Sequence, residues 1–308
     1  MVTRIHKVPT EHLSQEANGV LGPYAKPVAN VKPGEEVEVE TWDCNGGVIH
    51  PGQTRQEAID RGIPYVSNPI TGPIYIEGAE PGDALAVDIL DIKIVSPGFI
   101  CLNKGVAPIK INIDKPYTTF IDIFSDGVHY PTEAGRTLVL KAEPLIGTIG
   151  VSPPHEAIAT ITPGAHGGNM DCSDIRAGNR LILPVNRPGA LFGLGDAHAL
   201  QGDGEVCGTA VEISSVTRLR FSLIKGAKIA WPRVESKDEI MTLCSAKPLE
   251  DATRLAFQEL VTWMVSDYGW HRDDAYMFLS IVAKARIAQI VDPLYTVAAK
   301  LPKKYLQK

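Results

Sequence analysis

Nowhere in the 308 residues do apolar side chains run uninterrupted for the length a membrane-crossing helix needs. The N-terminal "MVTRIHKVPTEHLSQEANGV" also lacks the apolar stretch of a secretory signal. These absences predict a cytoplasmic protein with no membrane partner. Cysteine is sparse: Cys44, Cys101, Cys172, Cys207 and Cys244 are odd in number, far apart and never arranged as C-x-x-C. That excludes a structural zinc ribbon or a dithiol redox centre, and the thiols are read as reduced. Positive charge is short as well. Thirty Lys and Arg face 36 Asp and Glu, for a net charge of -6, and the basic residues are scattered. A phosphate backbone has nothing to dock on, so nucleic acid is excluded as a partner.

Turn formers are abundant. With 28 Gly and 23 Pro, the first three quarters of the chain break into short Val- and Ile-rich segments, which is the pattern of a predominantly β fold, a sandwich or barrel-like body. "EEVEVETWD" sets Val37 and Val39 against Glu36, Glu38 and Glu40 at period two, the mark of a strand with one wet face. "GPIYIEG", "AEPGDALAVDILDIKIV", "AGNRLILPV" and "GEVCGTAVEISSV" repeat a turn-then-strand grammar. Helical spacing takes over at "KPLEDATRLAFQELVTWMVSDYG", closed by Gly269, and again at "HRDDAYMFLSIVAKA". "RIAQIVDP" reads as a returning strand, and the basic "KLPKKYLQK" as a solvated tail. The expectation is one domain over 1–308: a β-rich body, 1–246, and a smaller C-terminal α+β extension, 247–308.

Three stretches carry the chemistry. "GDAHALQGDGEVCG" packs Asp196, His198, Asp203, Glu205 and Cys207 between glycines. In an extended strand, residues two apart face the same way, so Asp196 and His198 would form a carboxylate–imidazole ligand pair; a hydrogen-bonded turn is the alternative. The EF-hand spacing D-x-[DN]-x-[DN]-G-x5-E is absent, which rejects calcium binding by that motif. Glu205, next to apolar "VCGTAV", is placed for partial burial, which raises a carboxyl pKa toward values suited to acid–base work. "TPGAHGGNMDCSD" groups His166, Asn169 and Asp171 on a glycine-rich backbone, as ligand, as lining for a small polar substrate, or as a turn. "TWDCNGG" puts Asp43 at a strand end, with His50 the one further histidine near it in sequence. Cys44 and Cys207 have no activating base nearby in sequence and read as buried small residues.

Taken together, "GPIYIEGAEPGDALAVDILDI", "HGGNMD", "PGALFGLGDAHALQGDGEVCGTAVE" and "DDAYMFLS" closely resemble the acetamidase/formamidase family of amide hydrolases, from about Asp43 to Asp292. The resemblance implies a β-rich homo-oligomer that cleaves short linear amides, acetamide or formamide, to carboxylate and ammonia. It marks Asp43, His166, Asn169, Asp171, Asp196, His198, Gln201, Asp203 and Glu205 as the polar motif positions. Where the formamidase branch reads nearer "HGGNCD", this chain has Met170, and its "CGTAVE" is closer to the acetamidase branch.

Metal-containing members of the family imply a divalent ion, zinc first and calcium second, held by Asp43, His166, Asp196 and His198. Glu205 would then be the acid–base group acting on an activated water. Asn169, or the amides of Gly167 and Gly168, would be the oxyanion donor. A metal-free amidase with Cys172 or Cys207 as nucleophile, and a catalytically silent small-molecule-binding relative, stand as alternatives. No G-x-S-x-G elbow or Ser-Ser-Lys amidase signature supports a serine mechanism.

Overall fold

A computed structural model describes residues 2–12, 18–61, 66–102, 108–109 and 117–306. The fold is mostly β with a small C-terminal helical part, as the alternating segments predict. One sheet has nine strands. Its order runs Thr3–Ile5, Glu36–Thr41, Ser215–Ile224, Ala84–Ile94, Arg180–Pro184, Arg233–Glu235, Glu239–Ala246, Tyr295–Pro302 and Lys284–Gln289. A second has ten and contains Phe192–His198 flanked by Leu145–Gly150, Ile70–Ile76 and Glu212–Ile213, and a third pairs Val20–Leu21 with Ile158–Ala159.

Period two decides how these sheets pack. Along Ala84–Ile94, Leu85, Val87 and Ile89 join a core shared with Ile74, Ile146, Phe192 and Leu194 of the ten-stranded sheet. Ala84 and Ala86 turn to the opposite face, where Ala256, Leu260, Trp263 and Met264 of α1 (Leu249–Tyr268) cover them. The nine-stranded sheet is thus buried on both faces where the helix lies on it, which is why Arg180–Pro184, Glu239–Ala246 and Tyr295–Pro302 are buried nearly end to end. On Glu36–Thr41 the alternation is clean. Val37 and Val39 are fully buried, while Glu36 and Glu40 pair with Arg220 and Arg4 on neighbouring strands.

α1 ends where Gly269 adopts a left-handed φ of 69° and its N–H caps the Met264 carbonyl. A second helix, α2 (Arg272–Val282), packs on the first.

Two expectations fail. "GEVCGTAVEISSV" is not one strand: residues 204–211 form a looping turn, and pairing resumes only at Glu212–Ile213 and Ser215–Ile224. Gly204 and Gly208 both take positive φ and fold the segment back on itself, with the Gly208 N–H bonded to the Glu205 carbonyl at 2.8 Å. Nor is the C-terminal segment a solvated tail. Tyr295–Pro302 pairs along its whole length with Glu239–Ala246, and Leu301 and Leu306 are buried; the last two residues lie outside the described ones.

Phe192 and Phe221 meet edge-to-face across the two sheets, with centroids 5.1 Å apart. Phe192→Ala is expected to destabilise the fold by about 3–5 kcal/mol. Denaturant unfolding followed by near-UV circular dichroism checks this, and a loss below about 1 kcal/mol would mean the sheets close over the cavity.

Candidate active site

Phe192–His198 carries Asp196 and His198, but it is not a plain strand. Asp196 has a left-handed φ of 55°, and the pairing with Leu145–Gly150 passes over both Asp196 and Gly147. The kink leaves the two side chains together: His198 Nε2 lies 3.3 Å from Asp196 Oδ1 and 3.3 Å from Glu212 Oε2. Glu212 arrives from the adjacent strand, directly across from His198. Gly147 supplies the room, because a Cβ there would sit 2.5 Å from Asp171 Oδ1 and 2.7 Å from Asp196 Oδ2.

Around this pair the chain returns six more times. The Cys44–Asn45 turn, Asn68, Asn169, the Glu205–Thr209 loop, Glu212 and Asp292 line a cavity of about 200 Å³ together with Asp196. Its polar groups are tightly cross-linked. Asn68 Nδ2 donates to Asp196 Oδ2 at 2.8 Å and to Asn169 Oδ1 at 3.0 Å, and the Thr148 hydroxyl donates to the same Asn169 oxygen. Asn169 Nδ2 in turn bridges Asp171 Oδ2 at 2.7 Å and Asp292 Oδ2 at 2.9 Å. Asn68, Asp171, Asp196 and Glu205 all hold positive φ, four of the seven non-glycine residues that do so among the described residues. Such backbone is disfavoured unless its surroundings impose it, and it concentrates at functional sites.

The electrostatics are lopsided. Asp43, Asp171, Asp196, Glu205 and Glu212 are buried and Asp292 is half-buried, and among the described residues His198 is the imidazole paired with Asp196 and Glu212. Burial, then the charge of Asp196, pushes the Asp171 carboxyl up to about 7. Burial and the Asp171 charge drive Glu205 and Asp292 well above the ordinary carboxylate range. Burial alone would lower His198, but the Glu212 and Asp196 carboxylates outweigh it and hold the ring protonated well above its usual value.

A divalent cation fits this donor set. Asp171 Oδ1 is buried with no hydrogen-bond partner, and Glu212 Oε2 has the His198 ring, 3.3 Å away, as its ion-pair contact. Two trios have ligand atoms all within 4.8 Å of one another: Cys44, Asp196 and Glu212; and Asp171, His198 and Glu205.

Asp43 and His166 stand in neither trio. Asp43 Oδ1 accepts the N–H groups of Asn45 at 2.9 Å and Gly47 at 3.2 Å, holding the turn that presents Cys44. His50 is exposed. His166 is buried beside Gly164 and Gly168, its Nε2 unpartnered, and burial lowers its pKa to about 4, so the ring is neutral at pH 7. Asp203 is exposed and 3.4 Å from Arg286. Cys207 donates to the Thr209 carbonyl oxygen, and burial pushes the Cys172 thiol up to about 12.

A sequence model of the Acetamidase/Formamidase family matches residues 9–153 and 151–307, nearly the whole chain. The chain belongs to that family. An acetamidase from Yersinia enterocolitica superposes with a TM-score of 0.88 at 38% identity, covering 100% of this chain and 94% of that one. The formamidase of Methylophilus methylotrophus is 27% identical over 252 residues, 64% of this chain and 61% of that protein. The acetamidase of Mycolicibacterium smegmatis is 29% identical over 259 residues, 64% of this chain and 63% of that protein. The chain therefore spans about three-fifths of the length of these two curated relatives.

Four site residues escaped the motif reading: Asn68, Cys44 as a ligand-distance thiol, Glu212 and Asp292. A charged residue inside an apolar run, "TAVEI" or "AQIVDP", was the available signal for the last two.

The crowding of acids has a measurable consequence. Asp171 keeps a proton in the folded, metal-free protein that the unfolded chain has already lost between pH 3.8 and about 7. Its stabilising proton is fully present below the unfolded pKa and is lost as pH rises through the folded one. Denaturation midpoints measured in chelator should therefore decline across this window, and Asp171→Asn should flatten the decline. Parallel curves for parent and variant would assign the slope to other groups.

Proposed function

We propose that the protein hydrolyses the C–N bond of short linear amides, acetamide or formamide, to carboxylate and ammonia. The observation that carries this reading is the cavity itself, about 200 Å³ and walled by acids and amides. Drug-sized ligands need about 300–1,000 Å³, whereas a substrate of a few heavy atoms suits this space. Membership of a family whose relatives are named acetamidase and formamidase agrees with it.

Asp196 and His198 are the proposed core of a cation site, joined by Glu212 and by Asp171, whose buried Oδ1 lacks a hydrogen-bond partner. Zinc is favoured over calcium, because an imidazole and the Cys44 thiol stand beside the carboxylates and calcium takes oxygen donors. When bound, such an ion lowers the pKa of water to about 7 and polarises a carbonyl. Asp43, carried over from the family motif, is better suited to holding the turn that presents Cys44, and His166 stands outside both ligand trios.

Glu205 removes a proton from the attacking water, whose oxygen adds to the amide carbon. Glu205 then returns the proton to the nitrogen as the C–N bond breaks. A carboxyl with its pKa raised by burial suits both transfers, a role that contributes about a hundredfold to ten-thousandfold. Asn169 aims Asp171 and Asp292 in the resting site, and the N–H it gives to Asp292 is the one offered to the oxyanion when substrate enters. A thiol mechanism is disfavoured, since Cys172 is a buried thiol pointed at Asp174 and Cys207 gives its S–H to the Thr209 carbonyl oxygen.

The chain is read as one domain, because its last two strands, Tyr295–Pro302 and Lys284–Gln289, are hydrogen-bonded into the sheet that holds Thr3–Ile5. Free cysteines support a cytoplasmic setting. The edge strand Thr137–Leu140, with Leu138, Val139 and Leu140 exposed, supports a homo-oligomer. Among the described residues no helix is long and apolar enough to cross a membrane.

Ammonia release from formamide, acetamide, propionamide and a γ-lactam, before and after chelation, tests the reading. Turnover of the short linear amides, lost on chelation and restored by zinc, is expected. Activity untouched by chelator but killed by thiol alkylation would replace water with a cysteine, and no turnover at all would leave a binding protein. Glu205→Gln should lower turnover at least a hundredfold with zinc content intact; loss of zinc instead would make Glu205 a ligand.

A further inference from the structure

Gln201 touches three separate parts of the site. Its Nε2 donates to the Asp171 carbonyl oxygen at 2.5 Å and to the Ala288 carbonyl oxygen at 3.2 Å. Its Oε1 lies 2.9 Å from His198 Nδ1. Two carbonyls can only accept, so they fix which end of the amide is which, and Oε1 is left facing the ring. An amide oxygen cannot donate, so Nδ1 must carry the proton. The other ring nitrogen, Nε2, is thereby the atom aimed at Asp196 and Glu212.

We propose that Gln201 is a positioning residue: it holds the Nδ1–H and sets the aim of His198, so that Nε2 is the nitrogen that gives up its proton when a divalent cation binds. The proposal rests on reading this cluster as a cation site. The same side chain braces the carbonyl of Asp171, a residue held at a left-handed φ of 43°. One amide therefore sets two of the three groups in the Asp171, His198 and Glu205 trio. Hydrogen-bonded partners behind a ligating histidine commonly act in this way.

The loop does not depend on Gln201 for its place. Gly204 N–H bonds to the Ile287 and Ala288 carbonyls at 2.9 and 3.0 Å, and Ile290 N–H returns to the Gly204 carbonyl at 3.1 Å. Arg286 adds its contacts to Asp174 at 3.5 Å and Asp203 at 3.4 Å. Removing the Gln201 amide therefore tests the ring and the Asp171 brace rather than the loop, and the ring's own signal separates the two.

Zinc affinity, measured by competition with a chromogenic chelator, should fall about 10–100-fold in Gln201→Leu, with the metal-free thermal midpoint close to that of the parent. Gln201→Glu keeps an acceptor at Nδ1 and should recover part of the loss. Equal zinc affinity in the parent and Gln201→Leu overturns the proposal. If the parent itself binds no zinc, the cation reading fails, and nitrogen-15 NMR of histidine-labelled protein decides Gln201 separately. A slowly exchanging His198 Nδ1–H, identified by its absence in His198→Asn and lost in Gln201→Leu, sustains the positioning role. The same signal in parent and Gln201→Leu removes it.

Discussion

Everything at the centre of this protein answers to one imbalance: acids outnumber bases in a place where water cannot screen them. Buried carboxylates repel, and each must share a proton, accept hydrogen bonds or meet a cation. The amides of Asn68 and Asn169 and the ring of His198 are spent on this task. The backbone bends to it as well, with Asp171, Asp196 and Glu205 at positive φ and Gly147 bare so that two carboxylates fit beside it. A polypeptide would not concentrate these costs without a use for them, and a polarising cation facing a small amide is such a use.

The scaffold makes the imbalance tolerable by stiffness. Phe192–His198 lies inside the ten-stranded sheet with partners on both edges, and that sheet packs on another that is itself covered by helices. Against such a base the neighbouring acids are cut off from water, and burial first and mutual repulsion second raise the pKa values of Asp171, Glu205 and Asp292. Those displacements are what give a carboxyl the capacity to move a proton near neutrality.

Local features of this arrangement were legible in the sequence and distant ones were not. The alternation of Val37 and Val39 and the helix ending at Gly269 are each decided within a few residues and appear as read, whereas Asp196 and His198 meet through a left-handed kink and not along a plain extended strand. Glu205 is buried as expected, but in a turn instead of beside a strand, because the glycines around it favour reversal over extension. Glu212 and Asp292 meet the others only through strand order, which no local pattern encodes. Motif neighbourhood also misleads. His166 and Asn169 are three residues apart, yet Asn169 bridges two acids while His166 sits against the glycine turn that precedes it.

Asp292 lies between the last two strands, and the Asn169 side chain that holds it belongs to the middle of the chain. During synthesis, a ribosome that has released the whole ten-stranded sheet has still not supplied the final wall of the cavity. The pairing of Tyr295–Pro302 with Glu239–Ala246 is equally late and spans both helices. Such long-range closure is slow compared with hairpin formation. A nascent chain can therefore hold most of its strands in register and still be unable to enclose a ligand, and competence arrives in a single late step.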